Sequence, residues 1–143
     1  MRHKPSVWQW IALVVAIAFV ADWFIQRPDA RSRELNALIE QQASPLLRDY
    51  PYPFRVLRVE ESTAIMGTPR NVDVPAFRFL GLVYPDLNVR NPQDPDFIAA
   101  QATLAGAQTE ARAIVENAPG IQSVRWELDR HWLTAHGIDV PAD

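Results

Sequence analysis

The chain has 143 residues, of which 48% are hydrophobic and 22% are charged, and its net charge is −3. This length supplies one domain of ordinary size, and the composition is too apolar for a disordered chain. The absence of cysteine excludes disulfides, thiolate metal sites, cysteine nucleophiles and lipidated cysteines. Lys4 is the only lysine, so the part of the chain that folds has no lysine for a Schiff base or a phosphate-binding loop.

A long apolar segment occupies residues 7–25. Only Gln9 and Asp22 are polar among its nineteen residues, and a helix of this length spans about 28 Å. Tryptophans lie near both ends, where amphipathic rings settle at the two membrane interfaces. The sequence therefore predicts a transmembrane helix, with Asp22 in its last turn and within reach of water.

The flanks of this segment suggest its orientation. Basic residues stand on both sides and their count favours neither, so the short amino-terminal flank guides the assignment. We expect residues 1–6 in the cytoplasm, a single pass through a bacterial inner membrane, and residues 26–143 as a folded domain in the periplasm. The alternative is a secreted periplasmic protein, because Ala16-Ile17-Ala18 offers a small-residue signal-peptide cleavage pattern.

The domain begins with a predicted helix near Pro28, because proline fits the first turn of a helix. Pro45 is expected to kink or end this helix. Its apolar face is spaced by three and four residues and comprises Leu35, Leu38, Ile39, Gln42, Leu46 and Leu47. This face is expected to pack on the core. A second interpretation is a juxtamembrane helix that pairs with another subunit, which makes Leu38 a candidate partner contact.

Three strands are predicted next. Residues 54–60 and 63–66 are rich in β-branched and aliphatic side chains and indicate a hairpin. Residues 76–84 are apolar on both alternating faces, which is typical of a central strand. Gly81 within that strand indicates close approach of a neighbouring element.

The proline- and Asn/Asp-rich run over residues 85–95 is longer than most connections, so it is a candidate partner-binding loop. Its candidate contacts are Asn88, Arg90 and Asn91. The loop lacks the mid-loop glycine and terminal glutamate of a calcium-binding EF-hand, so we predict a solvated loop.

The carboxyl-terminal half shows clear periodicity. Asp94 and Pro95 predict a helix start, and small and apolar residues then follow at spacings of three and four up to Ala118. A last strand alternates Val124, Trp126 and Leu128 with polar residues, and a short helix follows over residues 130–136. Trp126 and Trp132 are candidate partner contacts if their rings are exposed.

The predicted fold class is α+β. The transmembrane helix is followed by the order α-β-β-β-α-β-α, a small mixed sheet of three or four strands packed with two or three helices. If the strand at 76–84 and the last strand are parallel, the helix between them forms a right-handed crossover.

The stretch FRFLGLVY, the alanine-rich helix and the segment APGIQSVRWELD resemble a BON domain, the small α-β-β-α-β module of bacterial envelope proteins. In that family a strand ending near a glycine precedes such a helix and a glycine-initiated strand, places taken here by Gly81 and Gly120. The resemblance covers residues 30–129, and the loop at 85–95 and one extra strand depart from it. It implies non-catalytic binding of lipid or protein, with no catalytic residues to carry over.

No catalytic constellation is found. His131 and His136 are five residues apart, which does not place them on one helical face as zinc ligands require. We expect no metal, no cofactor and no enzymatic activity. An enzyme remains an alternative if a pocket gathers Asp129, His131, Arg125 and Glu127.

We therefore expect a non-catalytic, membrane-anchored periplasmic domain that acts as an accessory or assembly subunit of a bacterial envelope or membrane complex. The expected partners are the lipid bilayer and a membrane or periplasmic protein. The mildly acidic composition and the lack of a basic stripe predict no nucleic-acid partner. The alternative is a BON-like envelope protein that binds lipid or a small ligand, whose identity the sequence leaves open.

Overall fold

The computed structural model describes residues 6–26 and 29–142, without the side chains of residues 22–26. Within these residues the chain forms a mixed α+β fold with a three-stranded sheet and several helices, which confirms the predicted fold class. The elements in chain order are α1 (Val7–Gln26), α2 (Ala30–Gln42), α3 (Pro45–Arg48), β1 (Val56–Glu60), β2 (Thr63–Thr68), α4 (Ala76–Val83), α5 (Pro95–Glu116), β3 (Ser123–Leu128) and α6 (Arg130–Ala135).

The sheet has the order β1-β2-β3, so β2 is its central strand. β1 and β2 form the predicted antiparallel hairpin, in which Glu60 pairs with Thr63 and Glu61 takes a positive φ of 56° in the turn. β2 and β3 are parallel, in register from Thr63 opposite Ser123 to Thr68 opposite Leu128. The connection between these parallel strands runs through α4 and α5.

The prediction of a central strand over residues 76–84 is wrong, because this segment forms α4. Phe79 and Leu80 are adjacent in sequence and both are fully buried, whereas Phe77 and Leu82 are exposed. In a strand, adjacent residues point to opposite faces, so this burial pattern fits a helical period. The predicted crossover from this segment to β3 is therefore replaced by one that begins at β2.

α5 is the central helix of the domain and follows the prediction closely. The Asp94 carboxylate accepts hydrogen bonds from the N–H groups of Asp96 and Phe97, and Pro95 opens the helix. Leu104, Ala107 and Ala111 are fully buried on its inner face. The small side chains on this face allow the helix to pack closely against the rest of the core.

The predicted helix near Pro28 is divided in two. α2 ends at Gln42, and the Ser44 hydroxyl caps α3, in which Pro45 occupies the first turn. Glu110 of α5 accepts hydrogen bonds from the Ser44 N–H at 2.9 Å and the Ser44 hydroxyl at 2.5 Å, which ties this turn to the central helix. Of the predicted apolar face, Leu35, Ile39 and Leu47 are buried, Leu38 is half-buried, and Leu46 is exposed.

α1 is helical, as predicted for residues 7–25. Among the residues that the structure describes, however, no helix combines the length and the apolar character of a membrane span. The transmembrane prediction is therefore not supported by the structure. The side chains of Asp22, Trp23, Phe24 and Ile25, which belong to the predicted span, lie outside the described residues.

Gly81 distinguishes the helical assignment of α4 from the strand that the sequence predicts. A Cβ added at Gly81 would meet only the Val89 side chain at ordinary contact distances of 3.6 and 3.7 Å. In a helix, Gly81→Ala should then raise the free energy of unfolding by about 0.5–1 kcal/mol, and Gly81→Val should raise it less. Urea unfolding of the two variants tests this order. A more stable valine variant would indicate a strand.

Candidate functional site

The most extensive exposed apolar surface in the described part of the chain lies on α1. Every described side chain from Val7 to Ala21 is exposed, including Trp8 at 80% and Phe19 at 74%. These apolar residues follow one another without interruption after Gln9, so they occupy all sides of the helix. A helix that is apolar all round is normally buried in a large core or in a membrane.

The loop between α4 and α5 carries three of the six predicted partner contacts. Asn88, Arg90 and Asn91 are all exposed. The loop is stabilised by its own hydrogen bonds. The Asn91 side-chain oxygen accepts one from the Gln93 N–H at 3.0 Å, and the Asn91 backbone carbonyl accepts one from the Asp94 N–H at 3.1 Å. These polar side chains are therefore presented to solvent by a loop with its own hydrogen bonds.

An open cavity of about 580 Å³ lies between this loop and the first turns of α5. Leu87, Ala99 and Ala100 line its apolar part, and Asn88 contributes to its rim. It also holds carboxylates, of which the Asp94 side chain is already engaged in capping α5. Among the described residues, no group of three or more acidic or histidine side chains is placed to hold a metal ion.

The other three predicted contacts are half-buried and pack against the core. Leu38 lies on α2, Trp126 on β3 and Trp132 on α6. The two tryptophans lie at opposite ends of one aromatic cluster, in which ring centroids are separated by 4.8–6.0 Å (Trp126–Phe54, Phe54–Tyr52 and Tyr52–Trp132). The six predicted contacts do not converge on one site.

A buried polar group joins the carboxyl ends of β2 and β3. Asp129 is only 4% exposed, and its carboxylate accepts hydrogen bonds from the Tyr52 hydroxyl at 2.9 Å and from Arg55 at 3.3 Å. It also accepts one from the Trp132 N–H at 3.1 Å, which caps α6. Burial, together with the adjacent Asp129 carboxylate, raises the pKa of Tyr52 well above its usual value, so the phenol stays a hydrogen-bond donor.

Gly67 of β2 makes this arrangement possible. A Cβ at this position would lie 2.6 Å from the Tyr52 hydroxyl and 3.3 Å from the Asp129 carboxylate. The sequence did not predict a role for Tyr52, Arg55 or Gly67. The available signal was a glycine at the end of an otherwise β-branched and aliphatic strand, which often marks close approach of another group.

The structure brings together only some of the residues that an enzyme would need, namely Asp129, His131, Arg125 and Glu127. Glu127, Asp129 and His131 line one open cavity of about 780 Å³, whereas Arg125 is not among its lining residues. Both oxygens of the Asp129 carboxylate are occupied by hydrogen bonds within the chain. In this arrangement the Asp129 carboxylate joins three parts of the fold.

The sheet face formed by the odd-numbered residues of β2 and β3 carries a network of ion pairs. Arg58 forms a two-point pair with Glu127 at 2.7 and 2.9 Å and contacts Glu60 at 3.0 Å, and Arg125 contacts Glu60 at 3.2 Å. The hydrogen bonds that Arg58 donates to Glu60 and Glu127 are the main reason why the pKa values of these two carboxylates are lowered. The four side chains are 42–61% exposed, so this face is open to solvent, although Ile65 beneath them is fully buried.

No protein-family model, no curated protein and no solved structure matches this chain. When α3, α4 and α6 are set aside, the elements α2, β1, β2, α5 and β3 follow the α-β-β-α-β order of the BON resemblance, but Gly81, on which that resemblance rests, lies in the helix α4. Without a family match, this shared order is a likeness of topology only. The function must therefore be argued from the surfaces described above.

The close approach at Gly67 leads to a non-additive prediction. Gly67→Ala should lower the free energy of unfolding by about 1–3 kcal/mol, because the new methyl group displaces the Tyr52 hydroxyl. Tyr52→Phe should lower it by about 1–3 kcal/mol, because Asp129 loses a donor. The double variant should lose less than the sum, since phenylalanine removes the clashing hydroxyl.

Urea unfolding of the four proteins measures this coupling. Gly106→Ala is the control for a glycine with room for a methyl group, because a Cβ there meets only Leu46 at 3.8 Å, and this variant should be more stable than the parent by about 0.5–1 kcal/mol. Strictly additive losses would show that the Tyr52–Asp129 contact does not lie over Gly67 as described.

Proposed function

We propose that the chain is a single-pass, membrane-anchored domain that serves as a non-catalytic accessory or assembly subunit of a bacterial envelope complex. Residues 7–25 would be the anchor, residues 1–6 would lie in the cytoplasm, and residues 26–143 would lie in the periplasm. The observation that supports this proposal is the exposure of every described side chain from Val7 to Ala21 on an apolar helix.

The exposed apolar side chains of α1 require a partner that removes them from water. The helix carries ten exposed large apolar side chains, among them two tryptophans and a phenylalanine, and burying them would contribute on the order of 10 kcal/mol or more. A protein partner usually covers one side of a helix, whereas lipid covers all sides. The uninterrupted apolar sequence over residues 7–25 therefore favours lipid, although part of that segment lies outside the described side chains.

The accessory role is supported by how the domain uses its polar groups. The buried carboxylate of Asp129 is engaged within the fold, and the charged residues Arg58 and Glu127 bind one another. The groups that remain directed towards solvent include Asn88, Arg90 and Asn91 on the braced loop. A braced, exposed polar loop is suited to contact with another protein.

A second candidate is binding of a lipid or small ligand by a BON-like domain. The cavity of about 580 Å³ beside the loop favours it, because Leu87, Ala99 and Ala100 contribute apolar lining. The space between α5 and the sheet is filled, since Leu104, Ala107 and Met66 are fully buried. A ligand would therefore bind beside the loop at the first turns of α5 and not between helix and sheet.

Membrane anchoring is tested in bacterial membranes with a carboxyl-terminal tag. The full chain should stay in the pellet after alkaline carbonate extraction, keep its uncleaved intact mass, and expose the tag to protease from the periplasmic side. Val14→Arg with Ile17→Arg should release it, because each arginine at a span centre costs about 2.5–3.5 kcal/mol. The control replaces the exposed residues Gln101 and Gln122 of the folded domain with arginine and should stay in the pellet. Release of the parent chain, or cleavage near Ala18, would contradict the anchor.

The accessory role is tested by purifying the tagged chain from membranes in mild detergent. A partner protein should co-purify in stoichiometric amount and be lost when Asn88, Arg90 and Asn91 are all changed to alanine. The matched control changes exposed residues of another loop, Val72 and Asp73, and should retain the partner. Purification of the parent chain with bound lipid and no protein would instead support the second candidate.

A further inference from the structure

The two edges of the sheet differ in how their backbone groups are satisfied. At the β1 edge, the Asn36 side chain accepts from the Val56 N–H at 2.7 Å and donates to the Val56 carbonyl at 3.1 Å. The Asp29 carboxylate at the start of α2 accepts a hydrogen bond from the Ser32 N–H at 2.6 Å, which is the chief cause that lowers the pKa of Asp29, and the Val59 backbone lowers this pKa in smaller part. α2 and its amino-terminal cap therefore close the β1 edge, as edge strands require.

The β3 edge has no neighbouring strand. Val124 and Trp126 are half-buried on it, and Leu128 at its end is buried. The Asp129 N–H, just after β3, donates to the Thr68 carbonyl of β2. Because backbone groups alternate in direction along a strand of a parallel pair, the odd-numbered residues of β3 direct their N–H and carbonyl groups towards β2. Val124, Trp126 and Leu128 therefore direct their N–H and carbonyl groups away from the sheet. In the described part of the chain, no side chain or backbone group bonds to these outward groups.

We propose that β3 pairs antiparallel with β3 of a second copy of this chain, about a twofold axis at Trp126. In this register Trp126 lies opposite its counterpart, Val124 lies opposite Leu128, and Arg125 lies opposite Glu127. Each copy then donates three backbone hydrogen bonds, from the outward N–H groups of Val124, Trp126 and Leu128. The two three-stranded sheets become one sheet of six strands, and each β3 edge gains a neighbouring strand.

Charge complementarity selects this partner and this register. Residues 124–128 read apolar, basic, tryptophan, acidic and apolar. When a second copy of this strand runs in the opposite direction, each basic residue lies opposite an acidic residue and each apolar residue opposite an apolar one. A shift of one position to either side moves the twofold axis and places Arg125 opposite Arg125, or Glu127 opposite Glu127. Like charges directly opposite one another destabilise strand pairs, so only the axis at Trp126 gives attraction at both positions.

The surroundings of the edge accommodate this pairing. Arg125 and Glu127 already belong to the ion-pair network of the open face, so the pairing would join two such networks across the axis. On the helix side, an open cavity of about 190 Å³ lies beside Trp126, and Ala105, Thr109, Gln108, Arg70 and Arg112 also line it. A side chain of the second copy that entered this space would meet polar and basic groups.

The test uses the full chain in detergent and measures its association by sedimentation and native mass spectrometry. Arg125→Glu and Glu127→Arg should each weaken the dimer about tenfold or more, because each creates two pairs of like charges. An equimolar mixture of the two variants should recover a mixed dimer, since every opposed pair is again complementary. Arg33→Glu, an exposed charge reversal on α2, is the control and should leave association unchanged.

Because both variants also lose an ion pair within the chain, their urea unfolding is measured alongside to show that they remain folded. A spin label attached to Ser123→Cys, the single cysteine in each copy, measures the distance between the two copies of this position in the dimer. The two labelled positions should lie about 20 Å apart along the paired strands. A monomeric parent chain, a dimer insensitive to both charge reversals, a mixture that fails to recover, or a label distance that does not fit the register would each overturn the proposal.

Discussion

A buried carboxylate constrains this domain. Asp129 lies at the point where β3 ends and α6 begins, and it must meet hydrogen-bond donors because an unpaired buried charge is costly. Tyr52, Arg55 and the Trp132 N–H supply them. This group thereby fixes the segment before β1, the end of the parallel pair and the start of α6 relative to one another. The lack of a side chain at Gly67 leaves room for it.

The two faces of the sheet differ from each other, and so do its two edges. The proposed roles follow from these differences. One face packs against the core, to which α5 contributes Leu104, Ala107 and Ala111, and the other carries exposed ion pairs above Ile65. The β1 edge is closed by side chains, whereas β3 keeps outward backbone groups. Within the described part of the chain, α1, the loop before α5 and the β3 edge are the surfaces for which we propose partners, namely lipid, another protein and a second copy.

Local signals in the sequence predicted most of the elements. The Asp94-Pro95 start, the spacing along α5 and the alternation in β3 depend on neighbouring residues, so they are visible without the fold. Residues 76–84 misled the prediction because nearly all are apolar, and such a run fits a buried strand or a helix equally well. The buried group was not predicted, since Tyr52 and Asp129 are 77 residues apart and meet only in the tertiary structure. The six predicted contact residues depended on local features, namely a helix face, a long loop and two tryptophans, and the structure distributes them over α2, β3, α6 and the loop before α5.

Membrane anchoring and pairing through β3 are tested most directly by hydrogen exchange of the full chain in lipid nanodiscs, compared at one chain and at two chains per disc. Exchange should be slow throughout α1 at both ratios, because lipid covers the whole helix. The amides of Val124 and Trp126 should become protected only when two chains share a disc. Rapid exchange along α1 at both ratios would contradict membrane anchoring, and unchanged exchange at Val124 and Trp126 would contradict pairing through β3.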